Sequence, residues 1–303
     1  MLSELTKHID WAALGRLRLQ ARRVADGAWV GQHQSRRRGA GLEFAGHRSY
    51  VPGDDLRWLD QRALLRHERL LIKQFETETE RTLRLVVDAT ASMAFRSEAS
   101  LLRKLDMAAV IAAALTRIAV RSGDPAGLDF LGGTSAQPLP VAGGLQAFER
   151  TLIELTRVEP GGQVGTTRAD LERALGKVTQ RAPRGTLIVV LSDLLELDDS
   201  APEVFAALGT GGRQIVLVQV LDPLEALFAL DGPVRLKASE GSLEIETNAS
   251  LARAGYLEAL GALQLRFREA LRAHGGELVV CRTDEDAVPA VRAVLRAAEG
   301  RGP

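Results

Sequence analysis

Asp88, Thr90 and Ser92 stand at alternate positions where an apolar run ends, in RLVVDATASM (residues 84–93). In an extended or gently turning segment alternate residues project to one side, which brings a carboxylate and two hydroxyls towards one point. These are hard oxygen donors of the kind Mg²⁺ takes in octahedral coordination, keeping several waters and leaving a place for a bound partner. Two later stretches offer more of the same chemistry. GGQVGTTRADL sets Thr166 and Thr167 ahead of a helical pattern, and TLIVVLSD ends an apolar run on Ser192 and Asp193. Ser, Thr and Asp also abound as ordinary turn and N-cap residues, so residue type alone leaves that reading open.

The elements that must position these groups follow from the hydrophobic pattern. From residue 82 strand-like runs alternate with helical ones. Strands are expected at TLRLVV, AGLDFLG, TLIVVLSD, RQIVLVQVL and ELVVCRT, and a hairpin between VRLKAS and SLEIET. Helices are expected at SLLRKLDMAAVIAAALTRIAVRS, LQAFERTLIELTRV, TRADLERALGKVTQ, VFAALGT, LARAGYLEALGALQLRFREALRAHG and AVPAVRAVLRAAE. Such alternation predicts an α/β fold, a Rossmann-like, mainly parallel sheet with helices on both faces. In such sheets functional groups gather beyond the carboxyl ends of the strands, where Asp88 and Asp193 fall. Ahead of this, residues 3–28 read as a helix. A Gly- and Arg-rich stretch follows, which Gly39, Gly41, Gly46, Gly53 and Pro52 break into loops or short strands. The organisation is therefore residues 1–79 as an N-terminal helical and looped extension, and residues 80–300 as the α/β domain.

The ordered pieces resemble the von Willebrand factor A domain and its metal-ion-dependent adhesion site, D-x-S-x-S followed by a threonine and then an aspartate. Asp88, Thr90, Ser92, Thr166 and Asp193 match that pattern, with threonine for the first serine and with Thr166 chosen over Thr167 because it directly follows Gly165. The resemblance implies that the hydroxyls of Thr90, Ser92 and Thr166 contact Mg²⁺, or Mn²⁺ in its place. Asp88 and Asp193 would act mainly through bound water, and an acidic side chain of a partner protein would take the open position.

A second stretch narrows this. GAGLEFAGHRSYVPGDDLRWLDQRALLRHERLLIKQFETE is similar to the signature that precedes the A domain in the bacterial family named only as domain of unknown function 58 (DUF58). Gly39, Gly41, Glu43, Phe44, Arg48, Tyr50, Pro52, Gly53, Asp54, Asp55, Arg57 and Asp60 carry the likeness. Gln61 departs from it where the family tends to have tryptophan, and Trp58 lies nearby. The family resemblance implies a non-enzymatic adaptor or substrate-presenting partner of a MoxR-type AAA+ ATPase in protein maturation or remodelling.

Other classes are weakened by what the sequence lacks. Lysine plus arginine equals aspartate plus glutamate at 39 each, so no net field draws the chain to nucleic acid or anionic lipid. Arg36, Arg37 and Arg38 are expected to pair with nearby acids or to stay solvated, and 4% aromatic content offers few platforms for stacked bases. Asp54 and Asp55 read as a tight turn after Pro52-Gly53, with one acid bonding backbone amides and the other paired with Arg57 or Arg48. The MAAVIAAAL run falls short of the roughly 18–20 residues that cross a bilayer, and residues 1–17, with early acids and no continuous apolar core, do not read as a secretory signal. The lone Cys281 rules out an internal disulfide and a Cys-rich zinc site, and it reads as a small apolar side chain in a strand. A cytoplasmic protein without a membrane span is the expectation. The alternative function is a haloacid dehalogenase-like phosphotransferase with Asp88 as nucleophile and Lys177, Asp198 and Asp199 in support. It lacks the second acid, because position 90 is threonine.

Overall fold

Every residue of the strand Leu83–Ala89 is buried, a state reached in the middle of a sheet whose two faces are both covered. The computed structural model describes residues 11–29, 43–49, 71–76, 81–135, 137–164, 167–195, 197–237 and 244–299. Residues 33–80 form one contact unit and the remainder of the chain forms the other. The N-terminal helix α1 (Trp11–Trp29) belongs to the larger unit. In the smaller unit β1 (Glu43–Ser49) pairs antiparallel with β2 (Leu71–Glu76), with an irregularity between Phe44 and Gly46. Residues 3–10 of the expected first helix, Arg36 to Arg38, and the expected turn at Asp54 and Asp55 lie outside the described residues.

The larger unit continues with β3 (Leu83–Ala89), α2 (Lys104–Ser122), β4 (Ala126–Gly132), β5 (Leu139–Ala142) and α3 (Gly144–Arg157). Then come α4 (Arg168–Gln180), β6 (Leu187–Ser192), α5 (Ala201–Ala206), β7 (Gln214–Leu221) and α6 (Pro223–Leu227). The chain ends with the antiparallel pair β8 (Pro233–Lys237) and β9 (Glu244–Asn248), then α7 (Ala249–Ala273), β10 (Glu277–Arg282) and α8 (Ala287–Glu299). Six strands make one sheet in the order β10-β7-β6-β3-β4-β5. All neighbours are parallel except β4 and β5. The architecture expected from the strand and helix alternation is thus present, a mainly parallel α/β sheet flanked by helices. From β3 the chain builds outward to β4 and β5, then returns to β6 on the other side of β3. This reversal makes the carboxyl ends of β3 and β6 a topological switch point, the place where sheets of this kind form their ligand crevice.

Side-chain alternation along β3 divides the core. Leu83, Leu85, Val87 and Ala89 join one cluster with α1, α2, α3 and α8, whereas Val86 joins the other with α4, α5 and α7. Helix α2 is apolar nearly all round because it lies between the sheet and α1. Helix α1 buries Leu14, Leu17, Ala21, Val24, Ala25 and Ala28, a helical stripe whose alanines allow close approach. Cys281 is buried in β10, and burial first, then Glu285 and Asp284, pushes its thiol up to about 12. It is an inert core group, as its sequence context implied. No helix of the described residues is long and apolar enough to cross a membrane.

Two elements carried weak sequence signals. Strand β5 is four residues long with Pro138 just before it and Pro140 inside it. Proline lacks the donor an interior strand needs, so it sits at a sheet edge. Helix α6 begins at Asp222-Pro223, where Leu224 N donates to Asp222 Oδ1 at 2.8 Å and Asp222 N to Glu225 Oε2 at 3.0 Å, a capping box.

At the start of β3 the guanidinium of Arg84, 1% exposed, donates through Nε to Asp129 Oδ2 at 2.5 Å, and Arg181 reaches Asp129 Oδ1 at 2.6 Å. Gly127 makes the room: a Cβ there would lie 2.3 Å from an Arg84 nitrogen. Asp129→Ala leaves the Arg84 charge buried without its main partner and is expected to destabilise by about 3–5 kcal/mol in urea unfolding. Arg84→Met/Asp129→Leu, which removes both charges, should recover most of that loss.

Candidate functional site

The last polar side chain of β3 enters the crevice already bonded. Thr90 donates to Asp88 Oδ1 from its backbone N at 2.9 Å and from its hydroxyl at 2.7 Å. The Ser192 hydroxyl, from the end of β6, donates to Asp88 Oδ2 at 2.6 Å. Ser92 lies in a short 3-10 turn, Ala91–Ala94, with its Oγ 3.2 Å from that of Thr90. Asp88, Thr90, Ser92 and Ser192 therefore form one connected cluster, and all are buried. Asp193, equally buried, lies close enough for its charge to act on Asp88. Of the expected ligands, Asp88, Thr90 and Ser92 are brought together and Asp193 is beside them. Thr166 lies outside the described residues. Its neighbour Thr167 caps α4, donating to Asp170 Oδ2 at 2.7 Å and accepting from Asp170 N at 3.3 Å.

Local backbone features hold the cluster in shape. Gly132 ends β4 and Gly133 follows it, with φ of 65° and 78°. A Cβ on Gly132 would lie 2.9 Å from the Thr90 methyl, and one on Gly133 would lie 2.8 Å from the Ala89 Cβ. The methyl that distinguishes Thr90 from serine is thus accommodated by a glycine. Gly161 N donates to Ala89 O at 2.9 Å and Ala91 N to Gly162 O at 3.2 Å, which laces residues 161–162 to the Asp88 loop. After β6 the chain turns through Leu194, a buried non-glycine residue at φ 56°. Leu194 N donates to Ser192 Oγ at 3.0 Å and Leu195 N to Asp193 Oδ1 at 3.1 Å.

Sequence reading did not single out Lys104, Glu225 or Gln219. The Lys104 ammonium donates to Asp193 Oδ2 at 2.7 Å and to Glu225 Oε1 at 2.6 Å, and the side chain is fully buried. Gln219 donates to the Asp193 carbonyl at 2.9 Å and accepts from Gln264 at 2.8 Å. The signal for Lys104 was its place as a charge heading an otherwise apolar helix. The acids of the phosphotransferase alternative have other partners: Asp198 accepts from Ser200 N at 2.9 Å, and Asp199 pairs with Arg266 at 3.0 Å.

Burial raises the Asp88 carboxyl from its ordinary 3.8 to about 6, and the Asp193 charge adds to the rise against the hydrogen bonds from Ser192 and Thr90. Burial also raises Glu225, against the pull of Lys104. For Lys104 burial acts to lower the value, but Asp193 and Glu225 together outweigh it. Asp88 therefore has negative charge that its own bonds do not fully stabilise. Hydroxyls and carboxylates are the donors Mg²⁺ favours, and a cation would relieve the repulsion between Asp88 and Asp193. The residues present fit such an ion. Among the described residues no three His, Cys, Asp or Glu side chains converge as a metal cage, so hydroxyls would make up part of any coordination sphere.

Residues 46–264 match the family model described as "Protein of unknown function DUF58". The chain belongs to that family. Uncharacterized proteins of Mycobacterium tuberculosis and Mycobacterium bovis are 28% identical to this DUF58 chain over 276 residues, 91% of its length and 85% of theirs. Among solved structures it is similar to the conserved hypothetical protein BatB from Bacteroides thetaiotaomicron, at 15% identity and TM-score 0.46, covering 73% of this chain and all of that one. It is similar also to a von Willebrand factor type A protein from Catenulispora acidiphila, at 12% identity and TM-score 0.43, covering 75% and 44% of the two chains.

The raised Asp88 value fixes a sign for pH dependence. A carboxyl whose folded value lies above its unfolded one contributes stability fully below about 3.8, and that contribution is lost as pH rises through about 6. In metal-free buffer Asp88→Asn is expected to match the wild type near about pH 4 and to exceed it by on the order of 1–3 kcal/mol at about pH 7. Urea titrations at both pH values test this, and parallel curves for the two proteins would contradict it.

Proposed function

We propose that this DUF58 chain is a non-enzymatic protein-binding module whose contact is completed by a divalent cation, Mg²⁺ or Mn²⁺. The observation that carries the reading is the buried oxygen cluster of Asp88, Thr90, Ser92 and Ser192 at the carboxyl-end crevice, with Asp193 beside it and with charge left over. Thr90 and Ser92 would offer hydroxyls to the cation. Asp88 and Asp193 would supply the negative charge that holds it, and Thr166 would join them from the segment before α4. Because Thr167 already uses its hydroxyl to cap α4, Thr166 is the better candidate of the two. The cation would supply a Lewis-acidic point at which an acidic side chain of another protein is bound.

The partner we propose is a MoxR-type AAA+ ATPase, with the DUF58 chain as its adaptor in the cytoplasm. Support for that choice is the family resemblance together with the chemistry proposed for the site, where a bound cation would accept a carboxylate oxygen of a partner. The phosphotransferase alternative gains no specific observation: both Asp88 oxygens accept hydrogen bonds, and Thr90 stands where that chemistry needs an acid.

The test is capture by this chain, in Mg²⁺ and in EDTA, from a lysate of its source organism, read by mass spectrometry. The expected result is an AAA+ ATPase retained in Mg²⁺, absent in EDTA, and absent with Asp88→Ala at an unchanged circular dichroism spectrum. An identical catch in both buffers would overturn cation-bridged binding. Calorimetry with Mg²⁺ alone should show binding by the wild type and none by Asp88→Ala.

A further inference from the structure

We infer that Lys104 is a resident competitor cation that sets the divalent-cation affinity of the candidate centre and keeps it low until a partner's acid arrives. The inference rests on the metal-binding reading above and extends it to a residue outside the matched ligand pattern. Lys104 is the first residue of α2, and its side chain is fully buried. Its ammonium is shared between Asp193 Oδ2 at 2.7 Å and Glu225 Oε1 at 2.6 Å, with the Phe95 ring centroid 5.8 Å away. Its backbone N donates to Phe95 O at 3.3 Å, and the preceding Arg103 N to Asp106 Oδ2 at 3.1 Å, so the start of α2 is held from both sides.

Each carboxylate oxygen of Asp193 is consequently in use, Oδ1 by Leu195 N and Oδ2 by the ammonium. A divalent ion drawing on Asp193 competes with a positive charge already in contact with it. Glu225 has the opposite influence. It shares the ammonium and so weakens the hold of Lys104 on Asp193, and it adds negative charge to the neighbourhood. With Asp88, Asp193, Glu225 and Lys104 all ionised, two negative charges are in excess, enough to balance one divalent ion. Removal of Lys104 leaves three, and removal of Glu225 leaves one. At an effective dielectric constant of roughly 20, one unit charge a few ångströms from a divalent ion changes its affinity by about tenfold or more.

This assigns opposite signs to two neighbouring substitutions, which a purely structural role for the cluster would not. The experiment is isothermal titration calorimetry of the full chain with MgCl₂ and with MnCl₂, without partner, on the wild type, Lys104→Met, Glu225→Gln and Asp88→Asn. The expected result is affinity at least about tenfold tighter for Lys104→Met and about fivefold or more weaker for Glu225→Gln. Binding by Lys104→Met where the wild type shows none also supports the inference. Binding by the wild type that Asp88→Asn abolishes, with Lys104→Met and Glu225→Gln unchanged, overturns the role of Lys104 and leaves the metal reading standing. Silence from all four proteins overturns both. If Lys104→Met fails to fold with two acids left unpaired, Glu225→Gln decides alone, since it keeps an acceptor for the ammonium: weakening supports the inference, and unchanged or tighter binding overturns it.

Discussion

A carboxylate that is 3% exposed at the end of an otherwise apolar strand has to find its hydrogen bonds inside the protein, and Asp88 finds them in Thr90 and Ser192. The first partner comes from the same chain two residues on. The second comes from a strand more than a hundred residues later, and it is available only because β3 and β6 pair with Val87 opposite Leu191. A slip of one residue in that parallel register would turn Ser192 to the other face of the sheet and leave a buried acid short of a donor. The chemistry of the crevice and the pairing of the two central strands therefore constrain each other.

The cation beside the cluster follows from the same burial. A lysine in the first turn of a helix opposes the helix dipole, which favours anions there. Local helix energetics therefore do not account for Lys104 at the start of α2. Two acids do account for it, the buried Asp193 just after β6 and the partly buried Glu225 in α6, because among the described residues Lys104 is the cation paired with each. Glu225 is itself placed by the capping box of a five-residue helix, and Asp222 of that box also accepts from Ser97 N at 2.9 Å. Three loops are thereby joined through the buried Lys104, Asp193 and Asp222 and the partly buried Glu225.

Much of this was legible in the sequence. AGLDFLG and ELVVCRT become strands and AVPAVRAVLRAAE a helix because long periodic or continuous apolar runs leave little choice of element. The alternation of such runs is sufficient to predict the parallel sheet. Asp88, Thr90 and Ser92 were legible because their spacing is local. Strand β5 was not, because its prolines mark it as a turn unless the sheet edge beside it is known. Lys104 and Glu225 were not, because their meaning lies in contacts across 89 and 121 positions of sequence, which no window along the chain contains. Ser192 is intermediate. Its strand was clear, but its role as a donor to Asp88 depends on register.

The two faces of β3 show why the crevice can be preformed. Towards α2 the strand presents Leu83, Leu85, Val87 and Ala89 to a helix dense in alanine, an apolar contact without polar atoms to satisfy. Towards α4 and α5 it presents Arg84, Val86 and Asp88, a charge at each end with an aliphatic residue between. The apolar face seats the strand by close packing, which tolerates little displacement. The charged face can then keep its groups at fixed positions, with Arg84 pinned by Asp129 and Asp88 by Thr90 and Ser192. A site built on the end of such a strand does not have to be ordered when a ligand arrives, so the conformational cost of binding falls on the ligand.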